Sequence, residues 1–325
     1  MSAAEPPDAS ARVSPKTAET TATTATAATT AMTATTATTA TTETAETRWA
    51  RFCRRFRRQH WAVAALAYLV VVTVCAVFAP QIAPQDPTDQ SLSDSFAGMS
   101  GEYWLGADRL GRDTLARLIF GARLSLLAGV QAVLAATVLG VPIGVVAGLM
   151  RGRVDAVASL VADAVLSIPA IVLALAIIGV LRPNLTNAMI AVGIVYAPRL
   201  FRVVRGAAIS VGEQTYIDAA RASGVGTLTI ARTHVIPNVA SPLLVQVSLA
   251  LGFAVLAEAA ISFLGLGVQP PDASWGVMLG QGIPQLDRQP LLVVFPGAAI
   301  MATVLAFNIL GDGLNDSLGR ETRRE

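Results

Sequence analysis

Two carboxylates, Asp163 and Glu258, stand inside long apolar blocks. A charge near the centre of a bilayer costs about 2.5–3.5 kcal/mol on insertion scales, so each must face protein or water. The chemistry open to them is proton relay or the lining of a polar pathway. The alternative is a buried hydrogen bond that locks neighbouring helices. Asp163 sits about two turns from the end of its block and Glu258 deep within its own, so the pair does not read as one relay. Few other reactive groups exist. The histidines are His60 and His234, the cysteines Cys53 and Cys75. They offer no metal-ligand spacing, no disulfide framework and no nucleophile with a base. No glycine-rich loop ends in Gly-Lys-Ser/Thr, and the one lysine, Lys16, lies far from any such loop. The chain therefore lacks the cradle for nucleotide phosphates, and no cofactor is expected on it.

The elements that hold these carboxylates are membrane spans. Of 325 residues, 53% are hydrophobic and 14% charged, against about 25% charged in soluble domains. The apolar residues gather into six blocks, roughly 61–80, 124–149, 156–181, 187–205, 242–266 and 290–311. Each is long enough to cross a ~30 Å hydrocarbon core, and lipid demands that each be helical. An all-α, six-helix polytopic membrane protein is the fold class this predicts. Arginines orient it. Arg151, Arg153, Arg199, Arg202, Arg205, Arg221 and Arg232, with the clusters at either end, place both termini in the cytoplasm. The 81–121 and 267–289 loops are then outside and the 206–241 segment inside. Gly140, Gly144 and Gly148 recur every fourth residue, a smooth face for close helix packing. Pro142, Pro169, Pro198 and Pro296 interrupt spans, as kinking residues do.

The N-terminal part has another character. Residues 1–47 are Ala/Thr-rich and too poor in bulky apolar groups to offset chain entropy, so a disordered cytoplasmic tail is expected. Residues 48–60 place Trp49, Phe52, Cys53 and Phe56 at helical spacing, with five arginines over the rest. That pattern predicts a basic interfacial helix. The block after it is long for a signal core and is read as an uncleaved span. Residues 321–325 form a cytoplasmic C-terminal end beyond the 61–320 membrane domain.

The inner segment carries the functional signal. Residues 213–222 read as a short helix, with Gly224 as its C-cap. A second short helix is expected to run on to Pro237, which introduces the fifth span. Small Ala219 and Ala220 would let a partner surface approach closely, so this is a docking knob. At the opposite end, Asp113 is expected to cap a short outer helix bearing Leu115, Leu118 and Ile119. Pro270, Pro271 and Trp275 stiffen the later outer loop and give it an interfacial aromatic. Both outer segments are candidates for receiving an extracytoplasmic protein, or else they plug the outer mouth.

Asp218-Ala219-Ala220, followed after three residues by Gly224, resembles the Glu-Ala-Ala-x-x-x-Gly coupling motif of membrane subunits of binding-protein-dependent ABC importers. Asp218 stands where that family has glutamate, keeping the charge with one methylene less reach. His234-Val235-Ile236-Pro237-Asn238 is similar to the peptide-type branch. Three further blocks resemble the second permease subunit of dipeptide, oligopeptide and nickel importers. They are Leu105 to Arg123, Glu258 to Gly276 and Phe295 to Gly313. The resemblance spans about residues 55–320 and implies a type I importer permease fold. It implies a heterodimer with a related permease subunit, two ABC ATPase subunits that use ATP and Mg, and an extracytoplasmic substrate-binding protein. It places ATPase coupling at Tyr216, Asp218, Ala219, Ala220, Arg221, Gly224 and Pro237. Nothing in the sequence points to nucleic acid or to enzyme activity in this chain. A peptide cargo is the leading expectation. Nickel or another small solute is the alternative within the family, and a proton-coupled secondary transporter the alternative outside it.

Overall fold

The computed structural model describes residues 48–318. The expected disordered tail, 1–47, and the C-terminal end, 321–325, lie outside the described residues. The chain divides between Arg54 and Arg55 into two units, and the helical body below belongs to the second. Helix α1 covers Arg48–Arg57 and α2 covers His60–Val77, with a break at Arg58–Gln59 between them. A short α3, Ala79–Ile82, ends the first span.

Helix α4, Thr114–Met150, is the spine. Its 37 residues correspond to about 55 Å at 1.5 Å per residue, more than a bilayer needs. The Asp113 side chain caps it, accepting from the Leu115 and Ala116 amides at 3.3 and 2.9 Å. The expected separate outer helix does not exist. No proline separates Asp113 from the apolar run, and Gly121 lies inside the helix without breaking it, so the capped turn continues into the span.

Helices α5, Gly152–Leu166, and α6, Ala170–Leu181, make up the third apolar block, but they meet at 94°. Pro169 explains the break. Its ring excludes the carbonyl four residues back and disfavours helical backbone at Ile168. The expected third span, which Pro169 interrupts, is thus a bent pair. Among the described residues, five other helices are long and apolar enough to cross a membrane.

Helix α7, Leu185–Gly212, packs along α4 in the most extensive pairing among the described residues. The glycine stripe makes it close. A Cβ at Gly140 would fall 2.6 Å from the Ala197 carbonyl, and one at Gly144 2.9 Å from the Phe201 carbonyl. One at Gly148 would meet the Ala208 Cβ at 2.6 Å. Gly193 answers from α7, seated against Ala132 and Ala136. Such backbone approach gains dispersion where lipid offers no hydrophobic drive.

After the short α8, Thr215–Ala222, the chain forms α9, a helix running Thr227–Phe263. The expected second short helix is not separate. A π-helical turn at Ala231–Val235 widens the backbone just before Pro237 and carries the helix past it. Of the 206–241 segment, only 213–214 and 223–226 leave helical structure. Helix α10, Trp275–Gly282, and α11, Leu291–Leu318, complete the body. Alanine-rich faces of α4, α6, α7 and α9 make the core, with Ala132, Ile178, Met189, Leu200 and Ala254 buried in it. Leu134, Leu160, Met301 and Leu305 are exposed on the outside, as suits a lipid-facing surface.

Candidate functional site

Helix α8 is a short amphipathic arm at the end of the bundle where α4 and α7 finish. Ile217 is its anchor. That side chain is fully buried among Val145 and Val204 of the spans and Ile230, Val235 and Val239 of α9. Burying a side chain of that size is worth roughly 1.5–3 kcal/mol, which fixes the arm on the bundle. Its other residues face outward. Asp218, Ala219 and Arg221 are exposed, Ala220 is half-buried, and Tyr216 lies with its ring centroid 5.5 Å from that of His234.

The arm ends in a glycine cap. Gly224 has φ +79°, its amide donates to the Arg221 carbonyl at 2.9 Å, and the Val225 amide donates to the Ala220 carbonyl at 3.0 Å. These bonds satisfy carbonyls that a helix end otherwise leaves open. Asp218 sits in the first turn and Arg221 in the last, each favourable against the helix dipole. They pair at 3.2 Å, an exposed contact worth at most about 1 kcal/mol. Beside them Arg151 donates to Glu213 at 2.8 Å. A cavity of about 460 Å³ opens here between Leu149, Gly212, Glu213, Asp218, Arg221 and Thr227. Pro237 is exposed on α9, beyond the π turn. The result is a rigidly seated projection with a small, polar outer face.

The two intramembrane carboxylates have different fates. Glu258 is fully buried and accepts from the Ser125 hydroxyl at 2.9 Å and the Ser262 hydroxyl at 2.7 Å. Ser125 also accepts from the Trp275 amide at 3.3 Å, so this carboxylate ties α4, α9 and α10 together. Asp163 is instead exposed and bridges α5 to α7 through Arg202. Arg205 reinforces that seam with a forked grip on Asp155. The structure does not bring Asp163 and Glu258 to one site.

At the opposite end of the bundle, residues 83–113 form an irregular cap with a bridge between Ala107 and Asp113. Asp108 holds it. Its carboxylate accepts from the Leu110 and Arg112 amides and from the Arg112 guanidinium, and Arg117 lies 3.7 Å away. Gln281 of α10 accepts from both Arg112 and Arg117 at 3.1 Å. The sequence carried one legible sign of this node, the four-residue spacing of Asp108 and Arg112; Gln281 gave none.

Of the outer residues singled out, Pro270 and Pro271 are exposed. Asp113 and Trp275 are 1% and 2% exposed, so neither offers its side chain to a partner. Asp113 is consumed in capping α4. The Trp275 indole donates to the Leu118 carbonyl at 3.1 Å, inside the protein and not at an interface with lipid.

This is a polytopic helical membrane subunit, with a capped projection at one end, a tied-down cap at the other, and a close-packed core between. Residues 140–324 match the family described as "Binding-protein-dependent transport system inner membrane component". Residues 47–98 match the "N-terminal TM domain of oligopeptide transport permease C". The di/tripeptide transport system permease protein DppC of Pseudomonas aeruginosa is 40% identical over 79% of this chain and 87% of its own length. The dipeptide transport system permease protein DppC of Alkalihalophilus pseudofirmus is 40% identical over 78% of this chain and 84% of its own. The glutathione transport system permease protein GsiD of Pectobacterium atrosepticum is 38% identical over 80% and 86%. The chain belongs to the inner-membrane permease components of binding-protein-dependent ABC transport systems. It is a multi-pass inner-membrane transport subunit.

Proposed function

We propose that this chain forms part of the pathway of an ATP-driven importer of dipeptides or oligopeptides, and that α8 couples it to a separate ATPase. The carrying observation is the seating of α8. Ile217 fixes it to α4, α7 and α9 while Asp218, Ala219 and Arg221 face outward. A partner that moves such a projection moves the spans beneath it. The peptide cargo follows from the relatives, whose names specify dipeptide, di/tripeptide and glutathione transport.

In this reading α8 and both termini are cytoplasmic. A related permease subunit completes the pathway, and two ATPase subunits bind ATP and Mg. An extracytoplasmic binding protein delivers cargo to the cap of residues 83–113 and the exposed Pro270–Pro271 loop. ATPase closure presses α8, and α4, α7 and α9 rock between inward-open and outward-open forms.

The test is cysteine cross-linking in the assembled importer. Cysteines at Tyr216 and Ala219 are expected to form disulfides with cysteines on the ATPase surface, and the yield should change when ATP is added. Labelling of these positions by an impermeant reagent from outside intact cells would place α8 on the wrong side and end the reading.

A further inference from the structure

Arg199 lies on α7, thirteen residues before Gly212, or about 20 Å along the helix at 1.5 Å per residue. It falls inside the 187–205 apolar block, at the midpoint of the 28-residue α7. A charge inside a span is costly and calls for a partner. Among the described residues no carboxylate pairs with Arg199, whereas Arg202 and Arg205 on the same helix hold Asp163 and Asp155. Its guanidinium carbon lies 5.1 Å from the Tyr196 ring centroid and 5.3 Å from that of Phe253. Ring faces attract the cation without accepting the paired N–H bonds that a carboxylate accepts. The side chain is held in place with hydrogen-bonding capacity to spare.

Arg199 also borders a cavity of about 280 Å³ at the 94° break of the third span, with Ser167, Ile168, Pro169 and Ala170 on its wall. No side chain caps the first turn of α6 there, so backbone donors add to the polar lining. Broken helices and charges inside spans are where membrane transporters meet their cargo. We propose that Arg199 is a pathway subsite that receives a carboxylate of the cargo, the C-terminal one of a peptide, during crossing. This rests on the peptide-import reading. The bland role for the same geometry is a brace, with Arg199 holding α7 to α9 through the Phe253 ring.

Proteoliposomes holding the whole importer, supplied with binding protein and alanyl-alanine, separate the two. Arg199→Gln should lower alanyl-alanine uptake at least tenfold. ATP hydrolysis stimulated by the loaded binding protein should stay within twofold of the parent. Arg199→Lys, which keeps the charge, should recover most of the uptake. Uptake by Arg199→Gln within twofold of the parent overturns the subsite. So does a joint loss of uptake and hydrolysis that Arg199→Lys leaves unrepaired, which is the signature of a brace. A parent importer that moves no alanyl-alanine or longer alanine peptide overturns the cargo reading and the subsite with it.

Discussion

The Ser125 hydroxyl donates to the Glu258 carboxylate at 2.9 Å, although 133 residues separate them. With Ser262 on the same carboxylate and the Trp275 amide on Ser125, the bond closes a buried junction of three helices. Glu258→Gln keeps an acceptor of nearly the same shape. It should leave uptake and thermal unfolding in detergent close to the parent. Glu258→Ala removes the acceptor and orphans two buried hydroxyls, at about 1–3 kcal/mol each. It should unfold at a clearly lower temperature. Loss of uptake in a well-folded Glu258→Gln importer would instead make this carboxylate a proton carrier.

The glycine stripe makes a sharper stability prediction. A Cβ at Gly144 would sit 2.9 Å from both the Phe201 carbonyl and the Val204 Cβ. Gly144→Ala should therefore push α4 and α7 apart and destabilise by about 1–3 kcal/mol. Gly206, an exposed glycine of α7, has nothing within 4 Å of an added Cβ. Gly206→Ala should be neutral, or stabilise by up to about 1 kcal/mol through helix propensity. Thermal unfolding of the two variants checks the contrast. Equal shifts would mean that α4 and α7 do not touch along this stripe.

Much of this was legible in the sequence because membrane physics leaves few choices. Long apolar runs had to be helices, four-residue glycine spacing had to be a packing face, and a glycine after a short polar helix had to be its cap. The failures share a cause. Asp113 and Pro237 look in the sequence like local punctuation, but punctuation strength depends on neighbours. A π turn carries the helix past Pro237, while Pro169 lacks such relief and the chain turns by 94°. Asp113 and Trp275 looked like surface groups because polar and amphipathic side chains in loops usually are. Asp113 is taken up by capping its own helix, while Trp275 is buried against partners far along the chain, Leu118 among them. Gln281, which joins Arg112 and Arg117 from far along the chain, was invisible for the same reason as Trp275.

Gly224 separates a cap from a contact. Its φ of +79° costs most L-residues about 1–2 kcal/mol, and asparagine less. Nothing in the chain lies within 4 Å of an added Cβ, so the fold itself does not forbid a side chain. Gly224→Asn should keep α8 formed, with amide exchange across Thr215–Ala222 like the parent. Its added bulk stands on the outward surface of the arm, where the ATPase is proposed to close. Uptake should then fall by about tenfold, equivalent to about 1.4 kcal/mol of lost coupling. Gly224→Val should lose uptake and loosen α8 as well, because a β-branched residue resists the left-handed conformation. Full uptake by Gly224→Asn would reduce the glycine to a helix terminator. Lost uptake with an undisturbed α8 leaves only a partner surface to account for it.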